Sequence, residues 1–164
     1  MPRVFEGGID ASGMRFAIVA SRFHEEIVTR LLEAAVECLL RHGAADHDIS
    51  VYRVPGAFEI PAAAAKLASG KSFDALVTIG CLIRGETPHF DFIASQTTVQ
   101  ISEVAMASGV PVSFGVITVE TPEQARQRSM KGNNKGWEAA LAAIEMASLS
   151  RVAAAGGSSS PGVS

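Results

Sequence analysis

Residues 73–83 read FDALVTIGCLI and form the most apolar run of the chain. Almost every position is apolar, whereas a strand with one face in water alternates apolar and polar side chains. Strands buried on both faces belong to parallel sheets that are covered by helices. We therefore place this segment at the centre of a parallel sheet.

Three further stretches, at residues 14–20, 49–54 and 112–119, have the short apolar pattern of strands bounded by turn-forming residues. Between the strands, apolar side chains recur at helical spacing and predict helices at about residues 25–42, 61–70, 90–108, 122–130 and 135–150. Strands that alternate with helices join in parallel, with helices on both faces. The predicted fold class is α/β, a three-layer α/β/α sandwich around a four-stranded parallel sheet.

Composition limits the organisation and the function. The chain has 164 residues, and its 48% of apolar side chains can build one core. We expect a single domain over residues 1–152 and a flexible Ala/Gly/Ser tail over residues 153–164. The segment around residues 4–8 is too short to stand alone, and in an oligomer it could add a strand to a neighbouring subunit's sheet.

The balance of 14 basic against 17 acidic side chains argues against a nucleic-acid surface. No apolar run approaches the length of a membrane span. The two cysteines cannot make a disulfide framework in a chain of this length. Together these features predict a cytoplasmic protein.

The loops after the four strands are rich in side chains that bind or react. They read SRFH (21–24), PGAFE (55–59), RGETPH (84–89) and TVET (118–121). Because the carboxyl ends of parallel strands meet at one edge of a sheet, these loops should converge there. This convergence is the main functional signal that the residues themselves provide.

The loop that begins at Arg84 can be interpreted chemically. Gly85 permits close backbone approach, and Glu86 and Thr87 lead into a helix whose N-terminal N–H groups favour an anion. His89, at that helix start, could transfer protons beside the anion, but it is equally compatible with a surface residue that caps the helix. These features alone suggest a hydrolase or phosphatase acting on a sugar phosphate.

Other kinds of site find less support. The pattern GxGxxG and the P-loop are absent, which disfavours dinucleotide cofactors and nucleoside triphosphates. The four histidines and two cysteines lack metal-ligand spacing, so we expect neither a metal nor a cofactor. Cys38 on a helix and Cys81 in the central strand are more often packing residues than nucleophiles.

Several motifs coincide with one family. Ser21-Arg22-Phe23, VPGAFEIP (54–61), GCLIRGETPHF (80–90) and NKG (134–136) stand in the order and spacing of lumazine synthases, which the chain resembles over about residues 5–151. The resemblance implies condensation of 5-amino-6-(D-ribitylamino)uracil with 3,4-dihydroxy-2-butanone 4-phosphate. An imine forms, phosphate is eliminated, and ring closure with loss of water gives 6,7-dimethyl-8-ribityllumazine, the precursor of riboflavin.

The resemblance also implies a role for each matching residue. The ribitylaminouracil would be held by a stacking ring, the ribityl-binding turn, the backbone after the central strand and a ring from the adjacent subunit; these are Phe23, Ala57, Phe58, Glu59, Cys81, Leu82, Ile83 and Phe114. The butanone phosphate would be held by the phosphate loop and a charged clamp; these are Glu86, Thr87 and Arg128. His89 matches the proton-transfer residue, and Lys135 approaches the site.

Two positions depart from the family pattern. Glu86 puts a carboxylate beside the expected phosphate, and like charges about 4 Å apart repel by roughly 4 kcal/mol at an effective dielectric near 20. We therefore predict that the loop binds phosphate through its backbone while the Glu86 side chain points away. His24 stands where a short polar residue such as Asn is expected, at the border of the uracil site.

The family forms homo-pentamers, and in many bacteria twelve pentamers close into an icosahedral shell. The resemblance therefore implies a pentamer, a 60-subunit shell and association with riboflavin synthase, although residues 129–133 look about one residue short for the shell-forming type. Two alternatives remain: a catalytically silent protein that binds flavin or lumazine, and a shell-forming structural protein. The presence of both His89 and Arg128 favours the enzyme, because a binder of a phosphate-free ligand needs neither.

Overall fold

The computed structural model describes residues 1–156. Its centre is a sheet of four parallel strands in the order β2–β1–β3–β4. The strands are β1 (Phe16–Ser21), β2 (Ile49–Val54), β3 (Ala75–Ile83) and β4 (Val112–Val119). All six residues of β1 are buried, as are the first seven of β3, because these two strands fill the middle of the sheet.

Within residues 1–156, five helices cover the two faces of the sheet. They are α1 (Glu25–Arg41), α2 (Ile60–Ser69), α3 (His89–Ser108), α4 (Pro122–Arg128) and α5 (Lys135–Gly156), and short 3-10 turns precede β2 (Asp46–Asp48) and α2 (Ala57–Glu59). The buried side chains form two clusters, one between the sheet and α1 with α5, the other between the sheet and α2 with α3. The predicted four-stranded parallel sheet and its helical layers are confirmed.

At the two ends of the described chain, the C-terminal helix is longer than predicted, and the N-terminal segment forms no strand. Helix α5 continues through Gly156, so the first residues of the predicted tail are helical, and residues 157–164 lie outside the described part. Residues 1–10 form no strand within the chain. Instead Gly8 N–H donates to Ser148 Oγ at 2.9 Å, which lays the segment across α5. Addition of a strand to a neighbour stays a prediction.

Helix α5 is 22 residues long and apolar enough in composition to cross a membrane. In the fold, the small residues of α5 pack against α1 and the sheet. The buried members of this small-residue face are Gly136, Ala139, Ala140, Ala143 and Ala147. Gly115 of β4 extends the same contact, since a Cβ at Gly115 would lie 3.0 Å from the Cβ of Ala139.

The start of α5 is fixed by one side chain. Asn134 Oδ1 accepts from the N–H groups of Gly136 at 2.8 Å and Trp137 at 3.2 Å, as an N-cap does. Its Nδ2 donates to the carbonyl oxygens of Ser129 at 2.8 Å and Arg30 at 3.3 Å. The cap therefore joins α5 to α1, and Gly136 lies against the backbone of α1.

Gly136→Ala should destabilise the protein by about 3 kcal/mol, because the added Cβ would overlap the Leu31 carbonyl group, which cannot move without shifting α1. Urea unfolding measures the change. Gly70→Ala is the matched control, since its Cβ would meet the nearest atom at an ordinary 3.7 Å. Equal stability of the two variants would contradict the close approach of α5 to α1.

Candidate functional site

A cavity of about 500 Å³ opens at the carboxyl edge of the sheet. It lies where the loops after β1, β2 and β3 converge; the loop after β4, which the sequence also predicts there, contributes no lining residue. It is lined by Phe23, His24, Gly56, Ala57, Phe58, Cys81, Leu82, Ile83, Gly85, Thr87, His89, Phe90 and Ile93. The lining is mostly apolar with few polar groups, which is typical of a site for an organic ligand.

The floor of the cavity is the end of β3, which runs further than β1. Pairing with β1 ends at Ile79 opposite Ala20, whereas pairing with β4 continues to Ile83 opposite Val119. After Ser21 the chain turns towards β2, where Arg22 N–H donates to the Val54 carbonyl at 2.8 Å. The β1 side of the last residues of β3 therefore faces the cavity instead of a strand.

The direction of the ladder shows which backbone groups are left open. The N–H groups of Leu76 and Arg84 donate to the β4 side, to Pro111 O at 2.8 Å and Val119 O at 2.9 Å. Because bonding direction alternates along a strand, even-numbered residues between them bond towards β4. The N–H and C=O groups of Cys81 and Ile83 consequently point to the side that β1 has left.

The turn after β1 supplies one wall. Phe23 is 66% exposed despite its size, and its ring meets the His24 imidazole edge-on, with centroids 4.5 Å apart. His24 has left-handed backbone angles, φ 57° and ψ 52°, at the N-cap of α1, and its side chain makes no capping hydrogen bond. Left-handed backbone is unfavourable for residues other than Gly, Asn and Asp. The His24 side chain therefore lines the cavity and does not cap the N-terminus of α1.

The turn after β2 supplies a second wall, next to the first, since Phe23 N–H donates to the Pro55 carbonyl at 3.2 Å. Glu59 Oε2 accepts from Gly56 N–H at 3.0 Å, which closes the turn that carries Ala57 and Phe58. Ala57 is buried, while the Phe58 ring is 60% exposed. The Phe23 and Phe58 rings thus both belong to the lining of one cavity.

The third wall is the Gly85–Pro88 loop and the first turns of α3. All residues from Arg84 to His89 are exposed. Arg84 Nε contacts Glu120 Oε2 at 2.7 Å and Arg84 Nη1 contacts Asp91 Oδ2 at 3.0 Å. Thr87, His89 and, further along α3, Phe90 and Ile93 line the cavity.

Burial sets the protonation of two lining groups. Burial raises the pKa of the Cys81 thiol to about 12, so the thiol stays protonated at neutral pH and is no nucleophile. Burial lowers the pKa of His24 from 6.5, so this imidazole is neutral at pH 7. Within residues 1–156, no group of three or more His, Cys, Asp or Glu side chains could hold a metal ion.

Eight of the twelve predicted site residues line this cavity: Phe23, Ala57, Phe58, Cys81, Leu82, Ile83, Thr87 and His89. Four do not. Glu59 closes the turn behind the wall, and Glu86 is exposed. Arg128 donates from Nη1 to Gln124 O at 3.2 Å on α4, and Phe114 is 44% exposed on the edge strand β4.

The structure adds lining residues beyond the predicted set. Gly56 and Gly85 lie in the predicted turns after β2 and β3, and the sequence predicts His24 at the border of the uracil site. Phe90 and Ile93 are outside the predicted set. Their spacing of three on a helix that begins at His89 is the signal that could have found them, because such residues share a helix face.

Comparisons with known proteins show which family the chain resembles over most of its length. The family model described as 6,7-dimethyl-8-ribityllumazine synthase matches residues 13–151. The chain is 51% identical over 148 residues to the 6,7-dimethyl-8-ribityllumazine synthase of Aquifex aeolicus (strain VF5). That alignment covers 90% of this chain and 96% of the relative.

His24→Asn should reduce the loss of stability in acid. The folded pKa of His24 lies below 6.5, so the unfolded chain binds the proton first, and the free energy of unfolding falls as the pH drops through 6.5. Asn tolerates left-handed backbone, and because it has no imidazole it removes this pH-dependent loss of stability. Urea unfolding about one pH unit above and below 6.5 measures it.

Lys71→Asn is the matched control for that experiment. Lys71 is the other described residue besides glycine with positive φ, at 50°, so the substitution puts Asn into a similar backbone conformation without removing an imidazole. The control should keep the wild-type difference between the two pH values. If the free energy of unfolding of His24→Asn also changed between the two pH values as much as that of the wild type, this would contradict the burial of the imidazole.

Proposed function

The chain belongs to the 6,7-dimethyl-8-ribityllumazine synthase family, and we propose that the cavity at the end of β3 is where it performs that family's reaction. The reaction condenses 5-amino-6-(D-ribitylamino)uracil with 3,4-dihydroxy-2-butanone 4-phosphate to give the lumazine, inorganic phosphate and water. The observation that carries the assignment of the site is the convergence of eight predicted residues on one cavity. The membership confirms the resemblance seen in the motifs.

The uracil ring binds between an aromatic face and an open strand edge. Phe23 offers a flat apolar ring on which the pyrimidine stacks. A uracil edge alternates N–H and C=O groups, and the backbone of Cys81 and Ile83 presents such groups on the side that β1 leaves free. Leu82 completes the wall of the cavity while its own ladder bonds go to β4. The Cys81 thiol takes no part.

The ribityl chain lies along the turn of Ala57, Phe58 and Glu59. One carboxylate oxygen of Glu59, Oε2, already accepts from Gly56 N–H. The other oxygen is available to accept from ribityl hydroxyl groups, since an ionised carboxylate has about four lone-pair sites. Glu59 would then fix both the turn and the ligand.

The phosphate of the second substrate binds at the N-terminus of α3. The backbone N–H groups of Glu86 and Thr87 lead into a helix of 20 residues, whose dipole favours an anion. Arg128 supplies the positive charge. Its guanidinium contacts a backbone carbonyl, and within residues 1–156 it forms no ion pair with a carboxylate, so its charge is available to the phosphate.

The reaction needs orientation and proton transfer. The 5-amino group adds to the ketone carbon, a carbinolamine forms, and water leaves to give the imine. The substrate then loses a proton from carbon while the C–O bond to phosphate breaks, and closure by the ribitylamino nitrogen releases a second water. His89, at the first position of α3, accepts and returns these protons beside the phosphate. Holding both substrates in the reactive orientation can lower the activation free energy by about 7–11 kcal/mol.

The family is homo-oligomeric, and we propose the pentamer as this chain's unit. The exposed ring of Phe114 on the edge strand β4 supports a site completed by the adjacent subunit, because it lies outside the cavity of its own chain. We extend the proposal to a 60-subunit shell, to association with riboflavin synthase and to a cytoplasmic location. The approach of Lys135 to the site belongs to the same proposal.

The test is to mix the purified protein with both substrates and follow lumazine fluorescence together with phosphate release. We expect one phosphate per lumazine at a rate well above the protein-free control, since the substrates also condense slowly alone. Bound ribityl ligand with turnover at the control rate would contradict the proposal and identify a silent binding protein.

Arg128→Ala and Glu86→Gln test, in the same assay, how each of the two charges affects substrate binding. Arg128→Ala should raise KM for the butanone phosphate at least about tenfold and leave KM for the uracil nearly unchanged, since a charge-assisted hydrogen bond is lost. Glu86→Gln should change both constants less than about twofold, because its exposed carboxylate points away from phosphate. Equal KM changes in Arg128→Ala, or a sharp gain in phosphate affinity in Glu86→Gln, would contradict these roles.

A further inference from the structure

Arg84 makes three contacts with one guanidinium, each to a different side chain. It donates from Nε to Glu120 Oε2 at 2.7 Å and from Nη1 to Asp91 Oδ2 at 3.0 Å. Its Cζ also lies 4.6 Å from the centroid of the Phe90 ring, within the range of a cation–π contact. Its backbone N–H donates to Val119 O at 2.9 Å. One residue therefore joins the ends of β3 and β4 to the first turn of α3.

These contacts span the Gly85–Pro88 loop from one end to the other. Arg84 precedes the loop, and Asp91 lies one turn of α3 beyond it. Within residues 1–156, the side chains of Glu86, Thr87 and His89 form no hydrogen bond or ion pair of their own, and a Cβ at Gly85 would meet no atom within 4 Å. The loop has few contacts of its own, so the contacts of Arg84 restrain it.

We propose that Arg84 is a positioning residue, whose contacts with Asp91, Glu120 and Phe90 hold the Gly85–Pro88 loop and the His89 imidazole in the geometry required for phosphate elimination. The inference rests on the proposed function for its kinetic consequence. Its structural consequence, an ordered loop, stands independently of that function.

A direct phosphate-binding role fits Arg84 less well. Two carboxylates already neutralise its guanidinium, and its hydrogen bond to Asp91, followed by that to Glu120, raises its pKa further. The cluster of one arginine with two carboxylates carries a net negative charge, which repels a phosphate. Within the part of the chain that the structure describes, the Arg128 guanidinium contacts the Gln124 carbonyl and no carboxylate, so it lacks this compensation.

Arg84→Met should lower kcat by about 10- to 100-fold, because displacement of a catalytic group by about 1 Å can cost that much. KM for the uracil should stay near the wild-type value. The unfolding midpoint should change little, since exposed ion pairs contribute little to global stability. Arg84→Lys keeps the charge but loses the planar fork, so it should recover only part of kcat.

Two sets of controls separate positioning from a general loss of charge. Arg41→Met removes a similar exposed pair, with Glu37 at 2.7 Å on α1, and should keep wild-type kinetics. Asp91→Asn and Glu120→Gln should each lower kcat in part, and their effects should be less than additive with Arg84→Met. Additive effects, or an unchanged kcat in Arg84→Met, would overturn the proposal, as would a rise in the butanone phosphate KM without loss of kcat.

Hydrogen exchange of residues 84–92 tests, without any substrate, whether Arg84 keeps the Gly85–Pro88 loop ordered. Arg84→Met should exchange faster there than wild type, while β1 exchanges as before. Unchanged exchange would overturn the proposal even if the enzyme is active. If the wild-type protein made no lumazine, the proposed function would fail, and faster exchange in the variant would still support the restraint by Arg84.

Discussion

The site depends on the difference in length between two neighbouring strands. β1 has six residues and β3 has nine, so the pairing that fills the centre of the sheet stops before β3 does. A strand edge inside a fold must be paired, covered or open to a ligand, because unpaired backbone groups are costly to bury. Here the chain after Ser21 turns away towards β2 and leaves a cavity beside Cys81 and Ile83. The ring of Phe23 and the turn of Phe58 then form the walls around that edge.

The chemistry follows from that enclosure. The walls are apolar, and the titratable side chains among the lining residues are His24, His89 and the protonated Cys81. Such a cavity provides little acid–base chemistry, but it can hold two reactants in one orientation, which is the main need of a condensation. The start of α3 borders the cavity, and the proposed phosphate site combines its backbone N–H groups with Arg128 of α4, which lies outside the cavity lining. In the proposed function, the apolar cavity therefore binds the pyrimidine, and the start of α3 with Arg128 binds the phosphate.

The sequence predicted the sheet and the convergence of loops because both follow from local patterns. The apolar run at residues 73–83 requires a central parallel strand, and parallel strands bring their following loops to one edge. The motifs then identified eight of the lining residues. The left-handed backbone of His24 was not predicted, because His is not a residue type that favours this conformation. The contact of Arg84 with Glu120 was not predicted either, because the two residues are 36 positions apart in the chain. Phe114 and Arg128 lie outside the cavity of a single chain, and a monomer's sequence pattern does not show where they meet a ligand.

In the proposed site, the backbone groups on the open edge of β3 form hydrogen bonds with the pyrimidine. Residue-resolved hydrogen exchange, with and without bound 6,7-dimethyl-8-ribityllumazine, tests it most directly. The amides of Cys81 and Ile83 should be protected on binding, while the amide of Leu82, which bonds towards β4, should change little. Saturating binding, confirmed by the ligand's fluorescence, with no added protection at Cys81 and Ile83 would contradict the account.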